Sequence, residues 1–354
     1  MKRFDLADIL INSTATIKEA MKRLDAAASK ILFVIDDDKK FIGSLTDGDI
    51  RRGLLSNKSL ESSLTDICNK NSFSVGENFN RENIIQEMKK RDIVFTPVLT
   101  PDGSIASIFS LPESQKEIIK KSDAKLDIPV VIMAGGKGTR MAPFTNVLPK
   151  PLIPIGDRTI LELIIEGFNI YGIDDFYFTL NFKGDIIRAY FDSIEKKYNL
   201  SYIWEKEFSG TAGCLNLLSD KINSTFIVSN CDIIVKADVA DLYKFHKEKK
   251  SVLTIVSSIQ HHAIPYGVVE FDNGGKVSKM IEKPEYSFPI NTGVYLLEPE
   301  CLSYIPKDGV FHMTHLIDAL MNDGKNVFTY IVNESEYIDI GQWDEYRKAV
   351  SQMI

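Results

Sequence analysis

The apolar run Pro129–Ala134, broken at once by Gly135, Gly136 and Gly138, constrains this chain more than any other stretch. An uninterrupted apolar segment of that length predicts a strand buried on both faces, the habit of parallel strands flanked by helices. Glycines at its end let backbone N–H groups converge on a ligand with no Cβ in the way. Such a loop suits a triphosphate; Arg140 then adds a planar multi-donor cation and Lys150 a compact point charge. Downstream the pattern alternates. Ile160–Gly167 predicts a helix, Phe176–Leu180 a strand, Asp185–Tyr198 an amphipathic helix, Thr225–Ser229 an apolar strand and Trp343–Met353 a terminal helix. The alternation predicts an α/β domain with a mainly parallel sheet and ligands at the carboxyl ends of its strands.

The first 120 or so residues read differently, as one unit written twice. Thr16 and Glu19 form a capping box ahead of Ile17, Met21 and Leu24 on one helical face. Strands Ile31–Ile35 and Phe41–Leu45 follow around a polar turn. In the second copy, Ile84, Ile85 and Met88 mark a helix after Asn80, and strands Ile93–Leu99 and Ile105–Phe109 flank the turn at Pro101, Asp102 and Gly103. Thr46 and Asp49 lie 64 positions before Ser110 and Glu113 (110 − 46). The charged stretch from Gln115 to Asp127 reads as a linker. The expected division is 1–122 for the repeat pair, about 1–58 and 59–122, and 128–354 for the α/β domain.

Composition narrows the function classes. The formal net charge of −7 disfavours nucleic acid, which needs a basic face. No apolar run reaches the length of a membrane span, and Asp5 and Asp8 interrupt any signal-peptide core; a cytoplasmic protein with no membrane partner is expected. Cys68, Cys214, Cys231 and Cys301 are scattered without a CxxC pair, so they read as small buried hydrophobes. The five histidines show no ligand spacing; His261 and His262, just before Tyr266, are candidates for the rim of a ligand pocket.

The glycine loop lacks both the GKS/T ending of a Walker loop and the G-x-G-x-x-G of a dinucleotide site. The longer string Gly135-Gly-Lys-Gly-Thr-Arg140-Met-Ala-Pro143, then Pro149-Lys-Pro-Leu152, resembles the signature of the nucleoside-diphosphate-sugar pyrophosphorylases, and the likeness continues to the C-terminus. That resemblance implies a Rossmann-like GT-A-type nucleotidyltransferase domain with a mainly parallel mixed sheet. It implies in-line attack of a sugar-1-phosphate on the α-phosphorus of an NTP, with loss of pyrophosphate. By the same resemblance, Ala134, Gly135, Gly136, Gly138, Thr139, Gly210 and Gly213 bind the nucleotide. Arg140 holds the β- and γ-phosphates, Lys150 neutralises the α-phosphate region and Lys283 holds the sugar phosphate. Tyr266, Gly267, Glu282, Asn291 and Thr292 line the sugar, and Asp232 and Asp339 hold Mg²⁺. Taken singly, Asp232 also reads as a helix N-cap, Asp339 as a turn former and Lys283 as a solvated charge.

The repeat pair resembles tandem CBS domains, because Gly43-Ser-Leu-Thr46-Asp-Gly-Asp49 approaches their G-x-x-T-x-x-D. There Thr46 and Asp49 would contact the phosphate and ribose of a regulatory adenine nucleotide, and a homo-oligomer is implied. The second copy departs from the pattern with Glu113 in place of Asp, and a purely packing and dimerising role stands beside the regulatory one. The combined architecture resembles guanylyltransferases of glucosamine-1-phosphate that serve legionaminic acid synthesis, which favours GTP and a hexosamine-1-phosphate. Mannose-1-phosphate guanylyl transfer, uridylyl transfer and a nucleotide sensor without activity are the alternatives. A glycosyltransferase fits less well, since Asn230-Cys-Asp232 is not D-x-D.

Overall fold

A computed structural model describes residues 6–26, 30–91, 93–111, 125–341 and 343–353 of the 354-residue chain. The chain forms two compact units, Met1–Asp123 and Ala124–Ile354.

The first unit carries one small plan twice. Leu10–Asn12 pairs parallel with Ile31–Ile35, which pairs antiparallel with Phe41–Thr46. Val75–Gly76 pairs parallel with Phe95–Leu99, which pairs antiparallel with Ile105–Ser110. The register slips between Val34 and Ile35 and again between Val98 and Leu99, the same 64-residue offset (98 − 34) found in the sequence. A helix precedes each hairpin, Ile17–Ala26 and Arg81–Lys90. The capping box is formed: Thr16 N–H donates to Glu19 at 2.8 Å and Glu19 N–H to the Thr16 hydroxyl at 3.2 Å. Asn80 caps the other helix by accepting from the N–H groups of Glu82 and Asn83. One strand starts later than its pattern suggests, at Phe95 rather than Ile93. Glu113 and most of the 115–127 stretch lie outside the described residues.

The second unit is built on a seven-stranded sheet. In chain order its strands are β1 (Val130–Met133), β2 (Asp175–Leu180), β3 (Asn199–Trp204), β4 (Phe226–Asn230), β5 (Leu253–Ala263), β6 (Glu285–Leu297) and β7 (Val327–Val332). Their spatial order is β3-β2-β1-β4-β6-β5-β7. Every pairing is parallel except the two made by β6. β1 is buried on both faces as its sequence demands: Val130 and Ile132 face one core layer and Val131 the other. The first layer is closed by α1 (Ile160–Asn169), α2 (Gly184–Ser193), α3 (Val239–Glu248) and α5 (Trp343–Met353), the second by the short helix Cys214–Leu218 and α4 (Met313–Asn322). Each Leu, Ile or Phe sealed between these layers contributes roughly 1.5–3 kcal/mol.

α2 corrects the sequence reading. The amphipathic pattern from Asp185 to Tyr198 is not one helix: it ends at Ser193, where Ile194 turns extended at φ −104° and ψ 151°. The Lys196 ammonium binds the carbonyls of Phe191 and Ile194 and so caps the end. The released residues lead into β3, which the helical reading had concealed.

Candidate active site

The chain runs β1, β2, β3 outward in one direction and then returns to lay β4 on the other side of β1. Such a reversal opens a crevice at the carboxyl ends of the two diverging strands. Here those ends are Met133, followed by the glycine loop, and Asn230, followed by Cys231 and Asp232. A cavity of about 310 Å³ sits there, lined by Gly135, Gly136, Gly138, Thr139, Arg140, Lys150, Gly210 and Asp232 among others. A second, of about 190 Å³, shares Arg140 and Asp232 with it and adds Asn291, Thr292, Tyr337 and Asp339.

The loop geometry depends on glycine at Gly138. Its φ of +63° is left-handed, and a Cβ there would stand 2.9 Å from the Lys150 Cβ. The close approach lays the Lys150 stem against the loop. Lys150 opens the turn Lys150–Leu152 between two prolines and is only 6% exposed. A buried ammonium requires a partner, and Lys150 is ion-paired with Asp232.

Asp232 and Asp339 are brought together by a short ladder. Ile233–Val235 pairs antiparallel with Tyr337–Asp339, placing Ile233 opposite Asp339. Ile340 N–H donates to the Asp232 carbonyl at 2.8 Å. Gly341 N–H donates to the Asp339 carboxylate at 2.5 Å. A Cβ on Gly341 would stand 2.5 Å from Asp339 Oδ1 and 3.3 Å from both Asp232 Oδ2 and Lys150 Nζ. That single spot therefore borders all three charged groups. Burial raises the Asp339 carboxyl above its usual range; the Gly341 N–H opposes this, the Asp232 charge adds to it, and Lys150 and Arg140 counter it. A buried acid beside a second acid is relieved by a cation. Two carboxylates are also the donor set Mg²⁺ takes when phosphates complete its shell. Among the described residues no group of three or more His, Cys, Asp or Glu is gathered.

The remaining residues divide. Ala134 is buried at the strand end, its N–H donated to the Thr179 carbonyl at 2.9 Å. Gly213 lines neither cavity and packs against Ser209. Thr292 spends its hydroxyl on the Val256 carbonyl at 2.7 Å, and Asn291 donates to the Tyr295 hydroxyl at 2.8 Å. Tyr266, Gly267, Glu282 and Lys283 line neither cavity. They stand at the base of the hairpin Val268–Phe271 and Val277–Ile281, where Tyr266 is 75% exposed. A Cβ on Gly267 would approach Glu282 Oε2 to 3.1 Å, so those two are neighbours. His261 and His262 lie on β5; His261 bonds Ser287 across the ladder, and neither lines the crevice. Three cysteines are buried, but Cys231 is half-buried and borders the crevice, its thiol pushed up to about 12 by burial and then by Asp232. In the first unit, Thr46 and Asp49 bond one another: the Asp49 carboxylate accepts from the Thr46 N–H at 2.9 Å and hydroxyl at 2.7 Å, and Arg52 pairs with it at 2.6 Å.

Glu205 was missed by sequence reasoning. It follows β3 directly, is 8% exposed and lines the larger cavity. Its Oε2 accepts from the Ser209 hydroxyl at 2.6 Å and N–H at 3.2 Å. Its Oε1 lies where a Cβ on Gly135 would come within 2.6 Å. Asn230, Phe208 and Thr211 line the same cavity. The rule that ligands gather at strand carboxyl ends finds Glu205 once β3 is recognised.

The Nucleotidyl transferase family model matches residues 129–354, and the chain belongs to that family. A CBS domain model matches residues 6–56, the first copy of the repeat. The UTP–glucose-1-phosphate uridylyltransferase of Synechocystis is 30% identical over 239 residues, 62% of each protein. The mannose-1-phosphate guanyltransferase of Schizosaccharomyces pombe is 33% identical over 225 residues, 61% of each. The chain thus spans about three-fifths of the length of these curated relatives. Among solved structures, HddC from Yersinia pseudotuberculosis is 26% identical with a TM-score of 0.52, over 64% of this chain and all of that one. HddC is also known complexed with GMP-PN. Among the described residues, no helix is long and apolar enough to cross a membrane.

Proposed function

We propose that this protein transfers a nucleoside monophosphate from an NTP, GTP by preference, to a hexose- or hexosamine-1-phosphate, releasing pyrophosphate. The observation that carries the reading is the convergence of Arg140, Lys150, Asp232 and Asp339 on one crevice at the β1–β4 reversal. Membership of the Nucleotidyl transferase family supports it.

The sugar phosphate is already anionic near neutral pH, so the step needs orientation and charge neutralisation rather than a base. The glycine loop cradles the triphosphate with its N–H groups. Arg140 binds the departing β- and γ-phosphates. Lys150 leaves Asp232 in part to meet the α-phosphate. Asn291 and Thr292 border the cavity that receives the sugar, and Lys283 and Glu282 act from the hairpin. Asp232 and Asp339 would hold Mg²⁺, whose chemistry when bound is to neutralise phosphate charge.

Glu205 supports guanine. Its free carboxylate oxygen is an acceptor only, and guanine presents N1–H and N2–H₂ side by side to such a group. The guanyltransferase relatives and the GMP-PN complex of HddC point the same way; the uridylyltransferase relative keeps UTP as the second candidate. The pairing with CBS-like repeats supports glucosamine-1-phosphate as acceptor, a product used in legionaminic acid or surface-glycan synthesis, a cytoplasmic homo-oligomer, and an adenine nucleotide at Thr46 and Asp49. That nucleotide would have to open the existing Thr46–Asp49 contact.

Pyrophosphate release with Mg²⁺ across a grid of NTPs and sugar-1-phosphates tests the reading. Release with GTP and glucosamine-1-phosphate is expected. Release with another pair removes the specificity, and release with none removes the activity.

A further inference from the structure

The segment from Thr139 to Asn146 carries Arg140 and is made of two short turns, Thr139–Met141 and Phe144–Asn146. Its own hydrogen bonds are local, such as Met141 N–H to Gly138 and Asn146 N–H to Pro143. Turns of this i→i+3 kind hold their shape less firmly than a helix or a ladder. Two distant side chains bind the carbonyls they leave over. The Trp343 indole N–H donates to the Ala142 carbonyl at 3.2 Å. The Lys183 ammonium donates to the carbonyls of Thr145 at 3.1 Å and Asn146 at 2.6 Å. Trp343 also packs edge-on against Phe144, ring centres 4.9 Å apart. It is itself braced by Tyr346 at 5.9 Å, whose hydroxyl donates to the Pro154 carbonyl at 2.7 Å.

Trp343 opens α5 only four residues after Asp339, and Gly341 between them borders Asp232, Asp339 and Lys150. We infer that Trp343 is a positioning residue that fixes the Arg140 loop relative to the Asp339 corner, so that the phosphate-holding cation and the acidic pair meet the same triphosphate. The inference rests on the nucleotidyl transfer reading above. An indole supplies both elements of the clamp, an apolar ring against Phe144 and one N–H for Ala142. Phenylalanine would keep the first and lose the second.

The test uses the full chain and two readouts. Trp343→Phe is expected to raise the KM for the NTP about fivefold, the loss of one neutral hydrogen bond, with the KM for the sugar phosphate unchanged. Trp343→Ala is expected to do more, so that Phe is a partial rescue. The chain has two tryptophans, Trp204 and Trp343. Titrating Mg²⁺ and each NTP should therefore change the emission of Trp204→Phe, whose one tryptophan is Trp343. An unaltered NTP KM in Trp343→Phe, or equal rises in both KM values with a lower Tm, would overturn the inference. So would an emission of Trp204→Phe that no combination of Mg²⁺ and NTP changes. If wild type releases no pyrophosphate with any pair, the functional reading fails, and the emission titration still decides the role of Trp343.

Discussion

Replacing Lys150 by Met removes one charge from the crevice while keeping most of the side-chain volume. Lys150 is 6% exposed and its partner Asp232 14%, so the pair sits largely out of water. Removing one member of a buried pair costs about 3–5 kcal/mol, because the other charge stays behind unpaired. Here the penalty is compounded, since Asp232 is left facing Asp339 without the ammonium that borders both. In the substrate complex, a unit charge about 4 Å from the reacting phosphate at an effective dielectric of about 20 is worth about 4 kcal/mol. That corresponds to about a thousandfold in turnover. Urea denaturation should show the first effect and pyrophosphate release at saturating substrate the second. Adding Asp232→Asn should restore most of the stability, since removing both partners leaves nothing unpaired, yet restore none of the activity. Turnover within tenfold of wild type, or a double variant no more stable than the single one, would refute the electrostatic reasoning.

Three further outcomes are expected. Gly341→Ala places a methyl 2.5 Å from the Asp339 carboxylate and should lower kcat about a hundredfold or more while circular dichroism shows the fold intact; a fully active variant would mean that corner is not part of the site. Glu205→Gln keeps the Ser209 contact but turns part of the acceptor into a donor; kcat/KM for GTP should fall about tenfold or more relative to UTP, and an unchanged ratio would remove Glu205 from base selection. His246 is fully buried, with Nδ1 on Thr254 at 2.8 Å and Nε2 on Glu298 at 3.2 Å. Burial depresses its pKa below 6.5, against the pull of Glu298. A depressed folded pKa stabilises above the unfolded value and loses that contribution as pH falls below it. The stability advantage of wild type over His246→Gln should therefore shrink below about pH 6.5; an advantage that grows on acidification would show that the buried ring is charged.

The catalytic sheet was legible where one signal dominated. β1 announces itself because both its faces are apolar, and the glycine loop because few folds tolerate three such residues after a buried strand. The repeat was legible in its elements and its 64-residue offset, since both copies obey the same local rules; the register slips at Val34 and Val98 keep that offset but only the structure reveals them. β3 was not legible. The residues Ile194 to Tyr198 continue the apolar period of α2, and the helix ends where the Lys196 side chain folds back onto the carbonyls of Phe191 and Ile194, a contact that periodicity does not register. Losing β3 hid Glu205 with it. The Lys150–Asp232 pairing was equally invisible, for it joins residues 82 positions apart through a strand order that no local pattern encodes. Tyr266, Glu282 and Lys283 show the converse: the motif names them, and the fold leaves them at the exposed base of a hairpin, outside both cavities.

The strand order has an evolutionary consequence. The connection from β3 to β4, residues 205–225, crosses the sheet; on the function proposed above, the chain up to the end of that connection builds the triphosphate loop and the wall bearing Glu205, and the chain after it builds the acid pair and the acceptor side. On that reading, donor and acceptor preferences are written in two contiguous stretches of the gene. A recombination event at the end of that connection would exchange the sugar while keeping the base, and Arg140, Asn230 and Asp232, which line both cavities, are residues any such chimera would have to keep matched.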